Sequence, residues 1–244
     1  MRTIKKILIE KETGKKFFLK ESNEDYHTSS GVITSKDLQS GKEEVISTGG
    51  KHFFVLNPSF TDLWENLHRG PQIMLQKDIG LIIAKTGLTG KWTVLDAGGG
   101  SGSLCFSLAN VCKKVVVYEQ NAEHHTILVK NKEMLGMKNV VLKKEDIYQG
   151  IAEKNLDLIT LDLPEPWRVI ASAEKALTPG GFLAVYLPNL TQVYEFIQSV
   201  KGTRLRVSET VELLERKWKI EDRIMRPEFQ MLGHTGFLTF CRKL

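Results

Sequence analysis

Through roughly the first sixty residues, apolar and polar positions tend to alternate with a period of two. Ile4–Glu10 and Lys16–Lys20 both alternate and flank Thr13-Gly14, the pattern of two strands joined by a tight turn. Gly31–Thr34, Glu44–Ser47 and His52–Leu56 read as further short strands, divided by Ser40-Gly41 and Gly49-Gly50. These runs predict a small all-β domain over residues 1–62. From Trp92 the pattern changes. Thr93–Ala97, Val115–Tyr118, Val140–Lys143, Leu156–Leu161 and Phe182–Leu187 are short, nearly continuous apolar runs, and Ser101–Val111, Ala122–Leu135 and Trp167–Leu177 between them read as helices. Apolar strands alternating with helices predict a parallel sheet covered on both faces. Lys77–Thr86 adds a helix before this series and Thr191–Val200 one after it. Arg206–Leu213 and Gly236–Cys241, joined by a loop containing Arg226-Pro227, are expected to pair as an antiparallel hairpin at the sheet edge. Residues 63–244 are thus expected to form one α/β domain.

Composition narrows the class without naming a function. The 244 residues carry 34 Lys+Arg against 29 Asp+Glu, a net charge of +5, with 41% hydrophobic and 26% charged residues. Those proportions exclude disordered, collagen-like and coiled-coil chains. No apolar run approaches the ~20 residues that span a bilayer, and the basic start at Met1–Lys6 leads into a charged strand rather than a leader core. A cytoplasmic protein with no membrane partner is the expectation. The surplus charge is uneven: residues 1–70 are net +1, residues 71–200 are neutral, and residues 201–244 carry +4. A positive field of that kind suits a polyanionic partner, and it suits an ordinary solvated face equally well. Cys105, Cys112 and Cys241 show no metal-ligand spacing, so no metal is expected.

The chemistry begins at Val94–Leu104 (VLDAGGGSGSL), where a glycine-rich turn links a strand to a helix. Such a turn lets backbone approach a ligand closely, with helix N–H groups aimed at it. A dinucleotide loop requires G-x-G-x-x-G/A, but position 103 is Ser103 and the third glycine is Gly102. Gly98, Gly100 and Gly102 with Asp96 ahead of them fit an S-adenosylmethionine loop better than a pyrophosphate loop. Ligands of open parallel sheets sit at the carboxyl ends of the strands. Those ends present Asp96, Glu119, Glu145-Asp146-Ile147 and Asp162 in succession. Glu119 is placed to accept from ribose hydroxyls, and an acid of Glu145-Asp146 to take an adenine amine while Ile147 packs on the ring. Four acids in register suit a cationic ligand without phosphate, since a pyrophosphate would be repelled. After the fourth strand, Asp162-Leu-Pro-Glu-Pro-Trp167 forms a rigid turn set by two prolines. Trp167 either stacks on a base or packs under the next helix.

These residues, taken with others along the chain, resemble the tRNA adenine-N1 methyltransferase family, which modifies T-loop nucleotide 58 and, in some archaeal members, 57. The resemblance rests on His27-Thr28 with Gly31-Val32-Ile33, Gly50–Leu56 (GKHFFVL), Pro58-Ser59 with Asp62, and Arg69–Ile73 (RGPQI) with Lys77-Asp78. It continues through Gly98–Leu104, Tyr118-Glu119, Glu145–Ile147, Asp162–Pro166 and Arg226-Pro227, ending at Gly233–Leu238 (GHTGFL). The resemblance implies a Rossmann-like class I methyltransferase domain, S-adenosyl-L-methionine as cofactor, tRNA as partner and a homotetramer. Carried over residue by residue, Gln72, Ile73, Ser101, Gly102, Ser103 and Leu104 approach the cofactor, Glu119 takes the ribose, and Asp146 and Ile147 take the adenine. Asp162 lies between cofactor and target base and is the candidate catalytic group. Leu75, Trp167, Arg226 and His234 are candidates on the substrate side. Two departures stand out: Leu75-Gln76 replaces the Tyr or His followed by Pro of many members, and His124 stands where some have Arg. Two other readings remain open at this point, a non-catalytic tRNA-binding subunit of the same ancestry and a methyltransferase for another substrate.

Overall fold

A computed structural model of the chain describes residues 4–20, 23–70 and 73–244. It divides into two compact units, one running to His68 and including Lys130–Gly136, the other holding Arg69–Val129 and Met137–Leu244. The first unit contains β1 (Lys6–Glu10), β2 (Lys16–Leu19), β3 (Tyr26–Thr28), β4 (Gly31–Ile33), α1 (Ser35–Gln39), β5 (Glu44–Ile46), β6 (His52–Leu56) and α2 (Phe60–Glu65). Its four-stranded antiparallel sheet runs β2-β1-β6-β5, and β3 and β4 form a separate hairpin. The expected hairpin forms between β1 and β2, with Ile7 opposite Phe18. Leu8, Leu19, Ile33, Leu38, Val45 and Phe53 make the core.

The unit is not all-β, as the alternation suggested, because two short helices interrupt it. Each carries its own start signal. Thr34 caps α1 by accepting from Asp37 N–H, and Ser59 and Asp62 cap α2 reciprocally. Both are Ser/Thr-x-x-Asp patterns, whose mutual hydrogen bonds satisfy the free N–H groups of a first turn.

The second unit is built from α3 (Gln76–Thr86), β7 (Thr93–Ala97), α4 (Ser103–Ala109), β8 (Lys114–Tyr118), α5 (Ala122–Leu135), β9 (Val140–Lys143), β10 (Leu156–Leu161), α6 (Ile170–Ala176), β11 (Leu177–Leu187), α7 (Leu190–Val200), β12 (Leu205–Val211), β13 (Trp218–Glu221), β14 (Ile224–Pro227) and β15 (Phe237–Lys243). The last turns of α5 count with the first unit, where Asn131 donates to His68 O and accepts from His68 N–H. The seven-stranded sheet has the order β12-β15-β11-β10-β7-β8-β9. β7 through β11 are mutually parallel, and β15 lies antiparallel between β11 and β12. This is the expected Rossmann-like α/β sheet with an antiparallel edge. Its core is apolar on both faces, with Leu95, Ile159 and Val185 buried on one and Val94, Leu158 and Ala184 on the other.

Two details differ from the sequence reading. The strand expected over Phe182–Leu187 begins earlier, at Leu177, because the β10–β11 register shift between Leu156 and Leu158 absorbs the irregularity of Thr178-Pro-Gly-Gly181. Arg226-Pro227 lies in a strand rather than a loop, since β13 and β14 pair as their own ribbon. Among the described residues no helix is long and apolar enough to cross a membrane. The three cysteines are free and buried; burial pushes Cys112 up to about 11 and Cys241 up to about 12, so neither is a thiolate at neutral pH.

Candidate active site

The site is assembled at the carboxyl end of the parallel strands, where the chain leaves β7 through the glycine loop. Gly98 and Gly99 N–H both donate to Tyr118 O, at 3.1 and 3.2 Å, so the loop is tied to the end of β8. On its other side Asp162 N–H donates to Ala97 O at 2.9 Å. The contact is so close that a Cβ on Gly98, whose φ is +89°, would stand 2.1 Å from Asp162 O. Gly102 starts α4 at φ +92°, and a Cβ there would lie 2.0 Å from the Phe106 ring. Both positions therefore require glycine, for backbone conformation and for space. Gly100 has only Gly98 O near it, at 3.8 Å, so that side of its backbone is open.

Glu119, at the end of β8, is buried and fixed by two backbone donors: Gly100 N–H reaches Oε2 and Asn121 N–H reaches Oε1, each at 2.8 Å. Each carboxylate oxygen keeps a further lone pair for a ligand. Asp146, beyond β9, accepts from Tyr148 N–H at 2.9 Å, and Ile147 beside it is buried. The Asp162–Pro166 turn is braced on two sides. Tyr148 hydroxyl accepts from Glu165 N–H at 3.2 Å, and Gln192 Nε2 donates to Pro164 O at 3.0 Å. Asp162 itself presents its carboxylate to the cavity, with no hydrogen-bond donor on it among the described residues. Desolvation by the surrounding protein pushes it up to about 6.

One cavity of about 760 Å³ gathers these groups, lined by Ile73, Leu75, Gly98–Ser101, Ser103, Leu104, Glu119, Asp146, Ile147, Asp162 and His234 among others. Its volume falls within the range of roughly 300–1,000 Å³ usual for small-molecule sites. Its lining includes the carboxylates of Glu119, Glu145, Asp146 and Asp162 and, among the described residues, no Lys or Arg. That donor set disfavours a pyrophosphate and fits a cationic ligand carrying hydroxyls and an amine. S-adenosylmethionine has this chemistry, and the open backbone at Gly100 leaves room for it.

Not every expected residue faces the cavity. Gln72 lies outside the described residues. Gly102 shapes the loop without lining the cavity. Trp167 sits in a single-turn helix over Pro166–Val169, away from the cavity. Arg226 in β14 stacks on Phe229 at 3.8 Å and donates to Pro227 O. Asp96 corrects the expectation of four acids in register. It points into the sheet, 1% exposed, and accepts from the Thr160 hydroxyl at 2.6 Å. Thr235 lines the cavity beside His234, while Tyr148, Tyr186 and Gln192 line it and were missed. The strand-end rule that found the acids, applied to β11, points to Tyr186-Leu-Pro188; the absence of an acid there hid it.

Asp96 supports a prediction on stability. Burial pushes its carboxyl up to about 7, with the charges of Asp162 and Glu119 adding and the Thr160 hydrogen bond opposing. A carboxyl raised in the folded state stabilises fully below its unfolded value of about 4, and that contribution is lost as pH rises through 7. Asp96→Asn is therefore expected to raise the melting temperature relative to the parent at pH 8, by roughly 1–3 kcal/mol of stability, and to give no gain at pH 4. Thermal denaturation at the two pH values checks this; an equal shift at both would contradict it.

The family described as the tRNA methyltransferase complex GCD14 subunit matches residues 51–226. The chain belongs to that family. Among its relatives is the tRNA (adenine(57)-N(1)/adenine(58)-N(1))-methyltransferase TrmI of Methanocaldococcus jannaschii, 33% identical over 97% of this chain and 94% of that protein. The crystal structure of the tRNA (m1A58) methyltransferase TrmI from Aquifex aeolicus superposes with a TM-score of 0.80, at 28% identity over 98% of this chain and 96% of that one. A Thermotoga maritima structure described as a SAM-dependent O-methyltransferase superposes with a TM-score of 0.86, at 29% identity over 100% of this chain and 94% of that one. Family membership spans both the glycine loop and the Asp162–Pro166 turn, the two segments joined at Gly98.

Proposed function

We propose that this protein transfers a methyl group from S-adenosyl-L-methionine to N1 of an adenine in tRNA, at position 58. The observation carrying this reading is the cavity itself, where the glycine loop, Glu119, Asp146 and Ile147 share one space with Asp162. Family membership and the TrmI relatives supply the class of substrate.

When bound, S-adenosylmethionine supplies an electrophilic methyl group on a sulfonium. The backbone of Gly98–Ser101 would lie along its methionine part, Glu119 would accept from its ribose, and Asp146 and Ile147 would hold its adenine. Ile73 and Leu104 close the apolar sides. Asp162 has no proton to remove before attack, because unmethylated N1 of adenine carries a lone pair. Its task is to accept from the exocyclic amine and to stabilise the positive charge that the product base acquires. With its carboxyl near 6, Asp162 is mostly ionised at pH 7 and loses that capacity below pH 6. Leu75 lines the cavity and offers the base apolar contact, without the stacking or hydrogen bond of a Tyr or His. His234 lies on the same side, while Trp167 and Arg226 serve the tRNA beyond the cavity. The target base has to be extruded from the folded tRNA, at a cost of a few kcal/mol. Phosphate contacts from the basic residues between Arg204 and Arg226 would offset that cost.

Homotetramer formation in the cytoplasm is part of the same proposal. The exposed Trp218, Ile220, Met225 and Phe229 on and beside the β13–β14 ribbon supply apolar surface for assembly. The Thermotoga structure described as an O-methyltransferase favours a second reading, an oxygen acceptor. Incubation with unmodified tRNA and S-adenosylmethionine, followed by nucleoside mass spectrometry, separates the two. The expected product is 1-methyladenosine, mapped to position 58; a ribose-methylated nucleoside or none would overturn the proposal. Mapping also shows whether position 57 is modified.

A further inference from the structure

His234 is held in an arrangement that one protonation state alone satisfies. Its Nδ1 lies 2.6 Å from Glu212 Oε1 and its Nε2 lies 2.7 Å from Pro188 O. Both partners are acceptors. A neutral imidazole has one N–H, so its other nitrogen would turn a lone pair towards an acceptor; the imidazolium donates to both. The three residues come from different parts of the fold: Glu212 follows β12, Pro188 follows β11, and His234 belongs to residues 228–236 leading into β15. Leu232, His234, Thr235, Tyr186 and Pro188 all line the cavity.

The adjacent residue is tied differently. Thr235 hydroxyl accepts from Lys77 Nζ at 2.7 Å and donates to Asp78 Oδ2 at 3.2 Å. Lys77 also donates to Asp78 Oδ1 at 2.8 Å and to Leu213 O at 2.6 Å, and both charged side chains are buried. That anchor is an ammonium–carboxylate pair. The neighbouring latch at His234 is exposed and built on an imidazole, the side chain that ordinarily titrates near neutrality.

We propose that His234, as an imidazolium bridging Glu212 and Pro188, is a positioning residue that pins residues 228–236 along the acceptor side of the cavity, so that use of tRNA weakens when the ring loses a proton. The inference rests on the reading of the cavity as a tRNA adenine methyl-transfer site. The groups facing the ring are Glu212 from the end of β12, Pro188 O from the end of β11, the Phe237 ring of β15 at 5.1 Å, and Lys77 of α3. The Glu212 hydrogen bond raises the imidazole above its ordinary 6.5, the Pro188 carbonyl adds to this, and Lys77 opposes it. The charged form therefore persists to higher pH than in a free imidazole and is lost as pH rises through the raised value.

The test measures kcat/KM for tRNA from pH 6 to 9 in the parent, Glu212→Gln and His234→Gln. In parallel it follows the His234 ring by NMR and S-adenosylmethionine affinity by calorimetry. In the parent, a falling limb is expected with its midpoint at the His234 titration. Glu212→Gln should move both midpoints down together. His234→Gln should lower kcat/KM roughly fivefold near pH 6.5, the size of one exposed ion pair, and remove the limb, with S-adenosylmethionine affinity unchanged. A falling limb indifferent to both variants, or a parent ring titrating at or below 6.5, would overturn the latch. Absence of tRNA methylation by the parent at every pH would instead overturn the proposed function, while the ring titration still decides the latch.

Discussion

Asp162→Asn is expected to lower kcat for tRNA methylation by about a hundredfold or more while leaving S-adenosylmethionine affinity within a few-fold of the parent. The substitution keeps shape and the backbone bond to Ala97, and removes one negative charge. That charge matters because the reaction creates a cation on the target base, so its stabilisation grows towards the transition state. Losing a single preorganised electrostatic stabiliser costs on the order of 10²–10³ in turnover. The carboxylate accepts no hydrogen bond from any described residue, so its capacity is free for the base. Single-turnover rates with saturating tRNA check this. The parent should also lose activity below pH 6 as Asp162 takes up a proton, since its carboxyl sits at about 6, and the Asn variant should lack that limb. An Asn variant methylating at the parent rate would remove Asp162 from the chemistry.

Gly98→Ala is expected to have the second large effect. A methyl group there meets Asp162 O at 2.1 Å, with backbone on both sides of the contact. Neither partner is a flexible side-chain end, so the glycine loop and the Asp162 turn have to separate. The left-handed φ of +89° adds its own penalty, about 1–2 kcal/mol for an L-residue. With overpacking of about 1–3 kcal/mol, stability should fall by roughly 2–5 kcal/mol. S-adenosylmethionine affinity should fall more than tenfold, and Asp162 should lose its position. Gly14→Ala is the control. Its φ is +69° and no other atom lies within 4 Å of its Cβ, so it bears the conformational penalty alone. Calorimetric affinity and thermal unfolding on both variants test the difference. Gly98→Ala binding S-adenosylmethionine as tightly as Gly14→Ala would show that the loop and turn are not coupled.

Much of this site was legible because strand ends and glycine loops are local signals. β7, α5, β9 and β10 have the boundaries that their apolar periodicity predicts, and Glu119, Asp146 and Asp162 share the cavity because parallel strands bring their carboxyl ends to one edge. Asp96 obeys the same rule and still faces away. Side-chain direction at a strand end depends on register, and pairing of β7 with β10 sets Asp96 opposite Thr160. Tyr148 and Gln192 were invisible for another reason. Their role is to brace the Asp162–Pro166 turn, across sequence separations of 17 and 28 residues.

The sequence by itself determined the class of ligand and most of the segments that line the cavity. Glycines at φ-demanding positions, acids at strand ends and paired prolines constrain the chain wherever they occur, and their order matches one family from end to end. Tertiary structure alone decided which of those groups act together. It turned Asp96 inward, left Trp167 and Arg226 outside the cavity, and set His234 between two acceptors drawn from the ends of β11 and β12. The physical reason is that a residue's chemical type is local, whereas its protonation state and hydrogen-bond partners depend on groups far away in the chain.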